Sequence, residues 1–252
     1  MVGEISHELA RHDIDLLLIA DDEQADKHGY MRMVQGRRVD ALIVAHTLDD
    51  DPRLAQLQAS GFPFLALGRS RLAQPYAWFD FDNYAGTCRA TRHLIQQGHQ
   101  RIALLGENNN QAFILQRRNG YLDALREAGL SDAWLRSVPA TRRAAIRPRW
   151  SCCVCLSRLP RLSPTATPMA MAPRWRSPHL GRFNRDNRVA LVVYDGLPQD
   201  SIIETDVAAV IQSTRQGVGR QIADMVRRLI AGEDLATLQV LWQPEFIPGE
   251  TA

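Results

Sequence analysis

Lysine is almost absent from this chain: Lys27 stands alone against 29 arginines in 252 residues. The chain also lacks any apolar run approaching the roughly 18 residues that a membrane-spanning helix needs. No charged-then-apolar leader with a small-residue cleavage site is present. We therefore expect no membrane association and no export, and we predict a cytoplasmic protein.

Acidic residues are missing from one long internal segment. From Ala133 to Arg185 the chain runs 53 residues without Asp or Glu, yet it carries eleven Arg and three of the four Cys. The preference for Arg over Lys indicates GC-rich coding DNA, and GC-rich codons read off-frame give Arg, Pro, Ala and Ser but few acids. Regrouped by one base, residues 144–178 can encode an amphipathic helix, a loop and a Thr-Ala-Ile strand with a polar end. We interpret 144–178 as an off-frame segment; an Arg/Pro-rich disordered insertion is the alternative.

The remaining composition argues against several classes of function. The net charge of +2 depends on the arginines of the suspect segment, and without them the chain is mildly acidic, which disfavours a nucleic-acid-binding surface. Cys152, Cys153 and Cys155 lack a paired C-x-x-C, so no zinc site is expected, and Cys88 is predicted to be a buried apolar residue. No catalytic triad, metal pair or dinucleotide fingerprint is present. We predict neither an enzyme nor a cofactor.

Short apolar runs alternate with amphipathic helical stretches along the chain. The predicted strands are 15–20, 39–44, 62–68, 101–106 and 189–196, with a further apolar run at 240–242. The predicted helices are 2–11, a stretch ending near 35, 52–60, 84–97, 111–128 and 214–230. This alternation indicates an α/β fold in which helices cover both faces of a parallel sheet. Because such sheets normally begin with a strand, the helix at the start suggests a truncated amino terminus.

Six strings occur in an order and at a spacing that are typical of one family. They are Asp82–Gly86 (DNYAG), His93–Ala103 (HLIQQGHQRIA), Arg117–Tyr121 (RRNGY), Leu125–Leu130 (LREAGL), Val193–Gly196 (VYDG) and Val210–Gln212 (VIQ). On these residues the chain resembles the regulatory core of the LacI/GalR family of bacterial transcription regulators. The off-frame reading also resembles this family, whose members carry a T-A-I strand at this place.

The resemblance implies a type I periplasmic-binding-protein fold with two doubly wound parallel-sheet subdomains and a small-molecule effector in the cleft between them. We expect one subdomain at 1–80 with 207–232, lacking its first strand, and the other at 81–206 with 236–249. The family also implies a homodimer that binds operator DNA through an N-terminal helix-turn-helix domain, which is not seen in this chain.

Two charged residues are candidates for contact with the effector, and the first of them matches an arginine of the family. Arg117 precedes x-x-Gly-aromatic, and its guanidinium could hold two adjacent hydroxyls or an anion; a solvated helix charge is the alternative. Asp195 lies at a strand end and could accept two hydroxyl protons of a sugar; a turn with Gly196 is the alternative. Arg69 also follows a strand, and either a cleft or a surface role is open to it.

Four aromatic residues crowd one short segment, at Tyr76, Trp78, Phe79 and Phe81. Aromatic faces pack well against sugar C–H surfaces, so an exposed ring here would favour a carbohydrate ligand. Phe81 matches a position where the family often places a ligand-facing residue. Trp78 is the second aromatic candidate, but alternation sends Trp78 and Phe79 to opposite faces, so at least one of them belongs to the core. Asp82 is predicted to cap the following helix.

These observations together predict the sensing core of a transcription regulator of repressor type that binds a small sugar or glycoside. The alternative is a solute-binding protein of a sugar transport system, which shares the fold.

Overall fold

The computed structural model describes residues 2–19, 29–106, 109–132, 135–137, 152–156, 190–196, 206–212 and 217–252, with backbone alone at 135–137 and 152–156. The chain divides into two compact units. Unit 1 contains Met1–Phe81 and Ser213–Trp242, and unit 2 contains Asp82–Gln212 and Gln243–Ala252. The chain therefore passes from one unit to the other three times.

Six helices and ten strands lie in the described residues. The helices are α1 (Val2–Ala10), α2 (Gly29–Gln35), α3 (Pro52–Ser60), α4 (Asn83–Gln96), α5 (Ala112–Glu127) and α6 (Val218–Ile230). The strands are β1 (Leu42–Val44), β2 (Phe64–Leu67), β3 (Ala77–Phe81), β4 (Ile102–Gly106), β5 (Leu135–Ser137), β6 (Cys152–Leu156), β7 (Leu191–Tyr194), β8 (Ala208–Ile211), β9 (Gln239–Trp242) and β10 (Glu245–Ile247).

Unit 1 is built on a four-stranded parallel sheet with the order β1-β2-β3-β9. Helix α6 covers it because Ile222, Met225 and Leu229 recur at helical spacing and are buried, while the arginines of α6 point outward. These side chains join Leu65 and Phe79 of the sheet in one apolar core. Each fully buried side chain of this size contributes about 1.5–3 kcal/mol, so packing, not helix propensity, holds the unit together.

Unit 2 contains a six-stranded sheet with the order β10-β8-β7-β6-β4-β5. The pairs β7–β8 and β4–β5 are parallel, whereas β6 runs antiparallel to both of its neighbours and β10 antiparallel to β8. Helices α4 and α5 pack against each other, and Leu94, Tyr121 and Leu125 fill the core between these helices and the sheet. The helices approach closely at Gly120, where a Cβ would overlap the backbone carbonyl oxygen of Tyr84 and lie 3.1 Å from the backbone nitrogen of Cys88.

The predicted α/β class is confirmed, and most helix positions agree with the prediction within a few residues. The predicted strand at 15–20 is wrong for its described part, since residues 15–19 form no strand and Leu17 and Leu18 are exposed. A strand needs a neighbour for its backbone hydrogen bonds, and no described strand pairs with this run. No described helix is both long and apolar enough to cross a membrane.

The predicted boundaries of the two subdomains need correction at the second and third points where the chain passes from one unit to the other. Strand β8 was expected in the first subdomain, but it pairs with β7 and belongs to unit 2. Strand β9 was expected in the second subdomain, but it pairs with β3 and belongs to unit 1. The off-frame interpretation of 144–178 lies outside the described residues, apart from the backbone of β6, whose antiparallel direction departs from the purely parallel sheet that was predicted.

A buried carboxylate at the start of α3 gives unit 1 a pH-dependent contribution to its stability. Asp51 is fully buried, accepts hydrogen bonds from the backbone N–H groups of Leu48 and Arg53, and pairs with the Arg53 guanidinium at 2.8 Å. Desolvation raises the pKa of Asp51, but the Arg53 side chain and the Leu48 N–H outweigh it, so that the pKa is lowered from 3.8. The stabilisation is therefore complete above pH 3.8 and is lost as the pH falls through the lowered value.

We expect the Asp51→Asn variant to lose roughly 2–3 kcal/mol of unfolding free energy at neutral pH, because an amide NH₂ would face donors. Part of the wild-type loss of stability on acidification should also disappear. Urea unfolding at a series of pH values measures both effects. Asp50→Asn, at the exposed neighbouring position, is the matched control and should behave like the wild type. Equal stability of Asp51→Asn and wild type at neutral pH would contradict the prediction.

Candidate functional site

Arg117 is the most deeply buried charged side chain among the described residues of unit 2. It lies on α5 and is 2% exposed. Its guanidinium carbon lies 3.5 Å from the centre of the Tyr194 ring and 5.0 Å from that of Phe113, so aromatic faces cover it on two sides. Such stacking is favourable for a planar cation and fixes the plane of the guanidinium. The prediction that Arg117 is more than a solvated helix charge agrees with this burial.

The hydrogen bonds of Arg117 leave part of its donor capacity unused. Its Nε donates to Asn83 Oδ1 at 2.9 Å, and the same oxygen accepts from Gln212 Nε2 at 3.0 Å. Its Nη2 lies 3.7 Å from Asp195 Oδ2, a distance that allows an ion pair but not a good direct hydrogen bond. Among the described residues, no partner forms a hydrogen bond of standard geometry with the buried Nη1. The arginine is thus held at Nε, is ion-paired at Nη2, and keeps one donor, Nη1, without a hydrogen-bond partner in the described part of the chain.

Asp195 follows β7 at the carboxyl end of the strand, in an unusual backbone conformation. Its φ is +66° and that of Gly196 is +74°, and its backbone N–H donates to the Val210 carbonyl at 2.7 Å. The side chain of Asp195 is 37% exposed. Desolvation by the surrounding protein nevertheless raises the pKa of Asp195, although the nearby Arg117 acts to lower it. Strained backbone at a strand end is common in ligand sites. The turn proposed as the alternative role is present too, so Asp195 both forms the turn and faces Arg117.

Tyr194 lies beneath the arginine and carries a second buried polar atom. Burial raises the pKa of Tyr194 to about 12, although Arg117 and Gln212 oppose the shift, so the hydroxyl is protonated at neutral pH. The hydroxyl makes no hydrogen bond of standard geometry within the described part of the chain. It would lie 2.7 Å from a Cβ at Gly86, so a residue without a side chain is needed there. This contact explains the glycine that closes the DNYAG string.

Helix α4 places Asn83 beside Arg117. Asp82 precedes the helix, and its carboxylate accepts from the Ala85 N–H at 2.9 Å, which confirms the predicted cap. With Asp82 capping the first turn, Asn83 is 1% exposed and faces Arg117. Sequence reasoning missed Asn83 and Gln212 as site residues, although both stand in strings that carried the family resemblance. A polar residue at the end of an apolar strand was the available signal for Gln212.

The remaining candidates lie in unit 1. Arg69 follows β2, is 34% exposed, and its Nε donates to the buried carboxylate of Asp80 at 2.9 Å. Its guanidinium carbon lies 5.5 Å from the ring centre of Trp78, which is partly buried. The charge of Arg69 is therefore paired within unit 1, in contrast to the loosely paired Arg117. Whether Arg69 or Trp78 contacts a ligand stays a prediction.

Phe81 lies in the apolar core of unit 1, not at an open surface. It is 9% exposed and meets Phe79 and Trp242 edge-on, with ring centres 5.4 and 6.2 Å away. Three mutually packed aromatic rings leave little of Phe81 uncovered, and whether its remaining exposed edge contacts a ligand stays a prediction. The predicted division of the segment is correct: Phe79 is 4% exposed in this core, and Trp78 packs on the other face.

No group of three or more potential metal ligands occurs in the part of the chain that the structure describes. The side chains of Cys152, Cys153 and Cys155 lie outside that part. Two α/β units with mainly parallel strands, joined by three passages of the chain, define the class of periplasmic-binding-protein-like domains. The buried arginine beside a carboxylate at a strand end is a polar binding group of the kind expected in such a domain.

Comparisons with known proteins identify the family. Residues 1–247 match the family described as periplasmic binding proteins and sugar binding domain of the LacI family. The HTH-type transcriptional regulator RafR of Escherichia coli is 56% identical over 260 residues, which cover 100% of this chain and 75% of RafR. The HTH-type transcriptional regulator AglR of Rhizobium meliloti is 34% identical over 129 residues, covering 50% of this chain and 36% of AglR.

Solved structures agree with this result. A crystal structure described as a transcriptional regulator from Yersinia pestis biovar Microtus has a TM-score of 0.82 and 39% identity, covering 99% of this chain and 90% of that one. The CelR–cellobiose complex has a TM-score of 0.75 at 21% identity, covering 100% of this chain and 77% of that one, which shows a shared fold. The chain belongs to the LacI family and contains its sugar-binding domain. Its relatives are transcriptional regulators, not enzymes, which confirms the predicted class of function.

Proposed function

We propose that this chain senses a small, uncharged sugar or glycoside through Arg117 and Asp195 of unit 2. The observation that carries the proposal is the buried guanidinium, whose Nη1 has no hydrogen-bond partner among the described residues and whose Nη2 lies 3.7 Å from a carboxylate. A sugar hydroxyl can accept from the arginine and donate to the carboxylate at the same time. The family's description as a sugar-binding domain supports this reading.

The charge balance favours a neutral ligand over an anionic one. Asp195 stands beside the far end of Arg117, so an anion that approached Nη2 would meet the repulsion of the carboxylate. A hydroxyl meets no such repulsion and uses both partners. We therefore expect sugar phosphates and uronates to bind more weakly than the corresponding neutral sugars.

In the intact regulator, we propose, binding of the sugar alters the affinity of a homodimer for operator DNA. The DNA-binding part would be a helix-turn-helix domain outside this chain, which spans 75% of the length of RafR, a relative named as an HTH-type regulator. A regulator of this kind acts in the cytoplasm. The sugar can shift the protein between two arrangements only through different affinities for them, typically by about 1–3 kcal/mol. The regulators among the relatives favour this function over solute transport.

Isothermal titration calorimetry tests the binding step directly. The panel contains galactose, glucose, lactose, maltose and cellobiose, together with galactose 6-phosphate and glucose 6-phosphate as anionic comparators. At least one neutral sugar should bind with one site per chain and should exceed any phosphorylated comparator in affinity. Tighter binding of the phosphorylated sugar would overturn the assignment of a neutral ligand, and no binding by any sugar would count against sugar sensing.

The affinity for a neutral sugar should depend on pH through Asp195. Because the ionised carboxylate is the acceptor and its pKa is raised from 3.8, affinity should be constant above the raised value and fall up to tenfold per pH unit below it. The Asp195→Asn variant should bind about 10–100-fold more weakly at neutral pH, since a charge-assisted hydrogen bond is lost. The affinity of this variant should not show the fall at acidic pH.

Calorimetric titrations across the acidic range, limited to pH values at which the protein remains folded, measure this dependence. Asp132→Asn, at an exposed position of unit 2, is the matched control and should retain the wild-type profile. If the affinity of Asp195→Asn fell at acidic pH as much as that of the wild type, another group would be responsible for the fall.

A further inference from the structure

Asn83 contacts the part of Arg117 that points away from Asp195. It is the first residue of α4, 34 positions before Arg117, and its side chain is almost completely buried. Its Oδ1 accepts from Arg117 Nε at 2.9 Å and from Gln212 Nε2 at 3.0 Å. One amide oxygen thus joins three elements of unit 2: the start of α4, the middle of α5 and the residue that follows β8.

The chemistry of the arginine fixes the orientation of the Asn83 amide. Arginine Nε can only donate, so the atom that faces it must be the amide oxygen and not the nitrogen. The guanidinium is then held at Nε by this bond and over its face by the Tyr194 ring at 3.5 Å. Two contacts in different directions leave it little freedom to turn, so Nη1 and Nη2 stay at the end where Asp195 lies.

We propose that Asn83 is a positioning residue that holds Arg117 in its sugar-binding orientation through Oδ1. The ligand part of this inference rests on the proposed function, whereas the immobilised guanidinium does not. Asn83 does not have to contact the sugar. It restricts the motion of the Arg117 guanidinium, so less conformational entropy is lost when the sugar binds. A carboxylate in its place would keep the acceptor, and a methyl group would abolish it.

The binding test compares Asn83→Ala, Asn83→Asp and the control Asn119→Ala, an exposed asparagine on α5. The probe is whichever neutral sugar of the panel binds the wild type. We expect Asn83→Ala to raise the Kd about 10–30-fold, Asn83→Asp to stay within about threefold of the wild type, and Asn119→Ala to have no effect. Wild-type affinity in Asn83→Ala would overturn the proposal.

A double-mutant cycle separates positioning from a general structural role. Lysine has no Nε, so the hydrogen bond from position 117 to Asn83 Oδ1 is absent in an Arg117→Lys background. Adding Asn83→Ala to that background should therefore change the Kd by less than about twofold. Arg118→Lys, the exposed neighbour, is the matched background in which the full Asn83→Ala effect should persist. A loss of the same size in the Arg117→Lys background would show that Asn83 acts independently of Arg117, and this would overturn the proposal.

A readout without ligand distinguishes failure of this inference from failure of the proposed function. The Arg117 Nε–H signal in ¹⁵N-edited NMR should exchange slowly with solvent in the wild type and in Asn83→Asp, and at least tenfold faster in Asn83→Ala. If no sugar binds but this difference appears, the proposed function fails and the positioning role stands. If Asn83→Ala does not melt cooperatively, Asn83→Asp decides: slow exchange supports the role, and fast exchange overturns it.

Discussion

An Arg117→Met variant should lose sugar binding and yet melt at the wild-type temperature or above it. The guanidinium supplies the donors of the proposed site, so we expect the Kd to rise at least about 100-fold, equivalent to roughly 2.8 kcal/mol. Its contribution to stability is different, because a buried cation with an unpartnered Nη1 and a carboxylate 3.7 Å away is incompletely compensated. Methionine keeps the packing against Tyr194 and Phe113 without burying a charge.

Asp195 should tolerate this change because it is 37% exposed and can be hydrated. Loss of a partner is most costly when the remaining charge is fully buried, which is not the case here. Thermal unfolding and calorimetric titration of the same samples measure the two effects. Arg118→Met at the adjacent exposed position should leave binding unchanged. A large drop in melting temperature for Arg117→Met would show that the arginine is primarily structural.

A Gly120→Ala variant should be strongly destabilising, although only one methyl group is added. Alanine normally improves a helix by about 1 kcal/mol relative to glycine. At position 120, however, the added methyl would overlap the Tyr84 carbonyl oxygen and press on the Cys88 backbone 3.1 Å away, so α4 and α5 would have to separate. We expect a net loss of roughly 2–3 kcal/mol, since backbone atoms cannot move aside like a flexible side chain.

Chemical denaturation of Gly120→Ala and Gly3→Ala makes this a matched comparison. Gly3 also lies in a helix, but no neighbouring atom lies within 4 Å of a Cβ at that position. Gly3→Ala should therefore be neutral or stabilising by up to about 1 kcal/mol. Equal effects of the two substitutions would refute the close-packing explanation for the glycine in the RRNGY string.

The sequence predicted the parts of the site that depend on short-range pattern. The position of Arg117 before x-x-Gly-aromatic and of Asp195 at the end of an apolar strand marked both as candidates, and the structure brings their side chains to 3.7 Å. The sequence could not show how Phe81 packs, because an aromatic residue at a strand end has the same local pattern in a core as at a surface. Only the packing of Trp242, 161 residues further along, shows that Phe81 is covered.

Long-range pairing explains the other differences. Nothing near Asn83 in the sequence indicates that its side chain meets α5 and the end of β8, because those contacts span 34 and 129 residues. The allocation of β8 and β9 to the two units likewise depends on which strand lies beside them. Alternating patterns give the face of a strand but not its neighbour, so sheet order could not be predicted from them.

The three passages of the chain between the units have a consequence for how the protein is made. Both sheets receive a strand from the last fourteen residues, since β9 pairs with β3 and β10 with β8. Thr251 then binds the backbone of Leu191 and Ala208 through its hydroxyl. On a ribosome that releases the chain from its amino end, β9 and β10 emerge after the strands they pair with. Neither sheet can be completed until these two strands have emerged, and the apolar strands made earlier lack those neighbours until then.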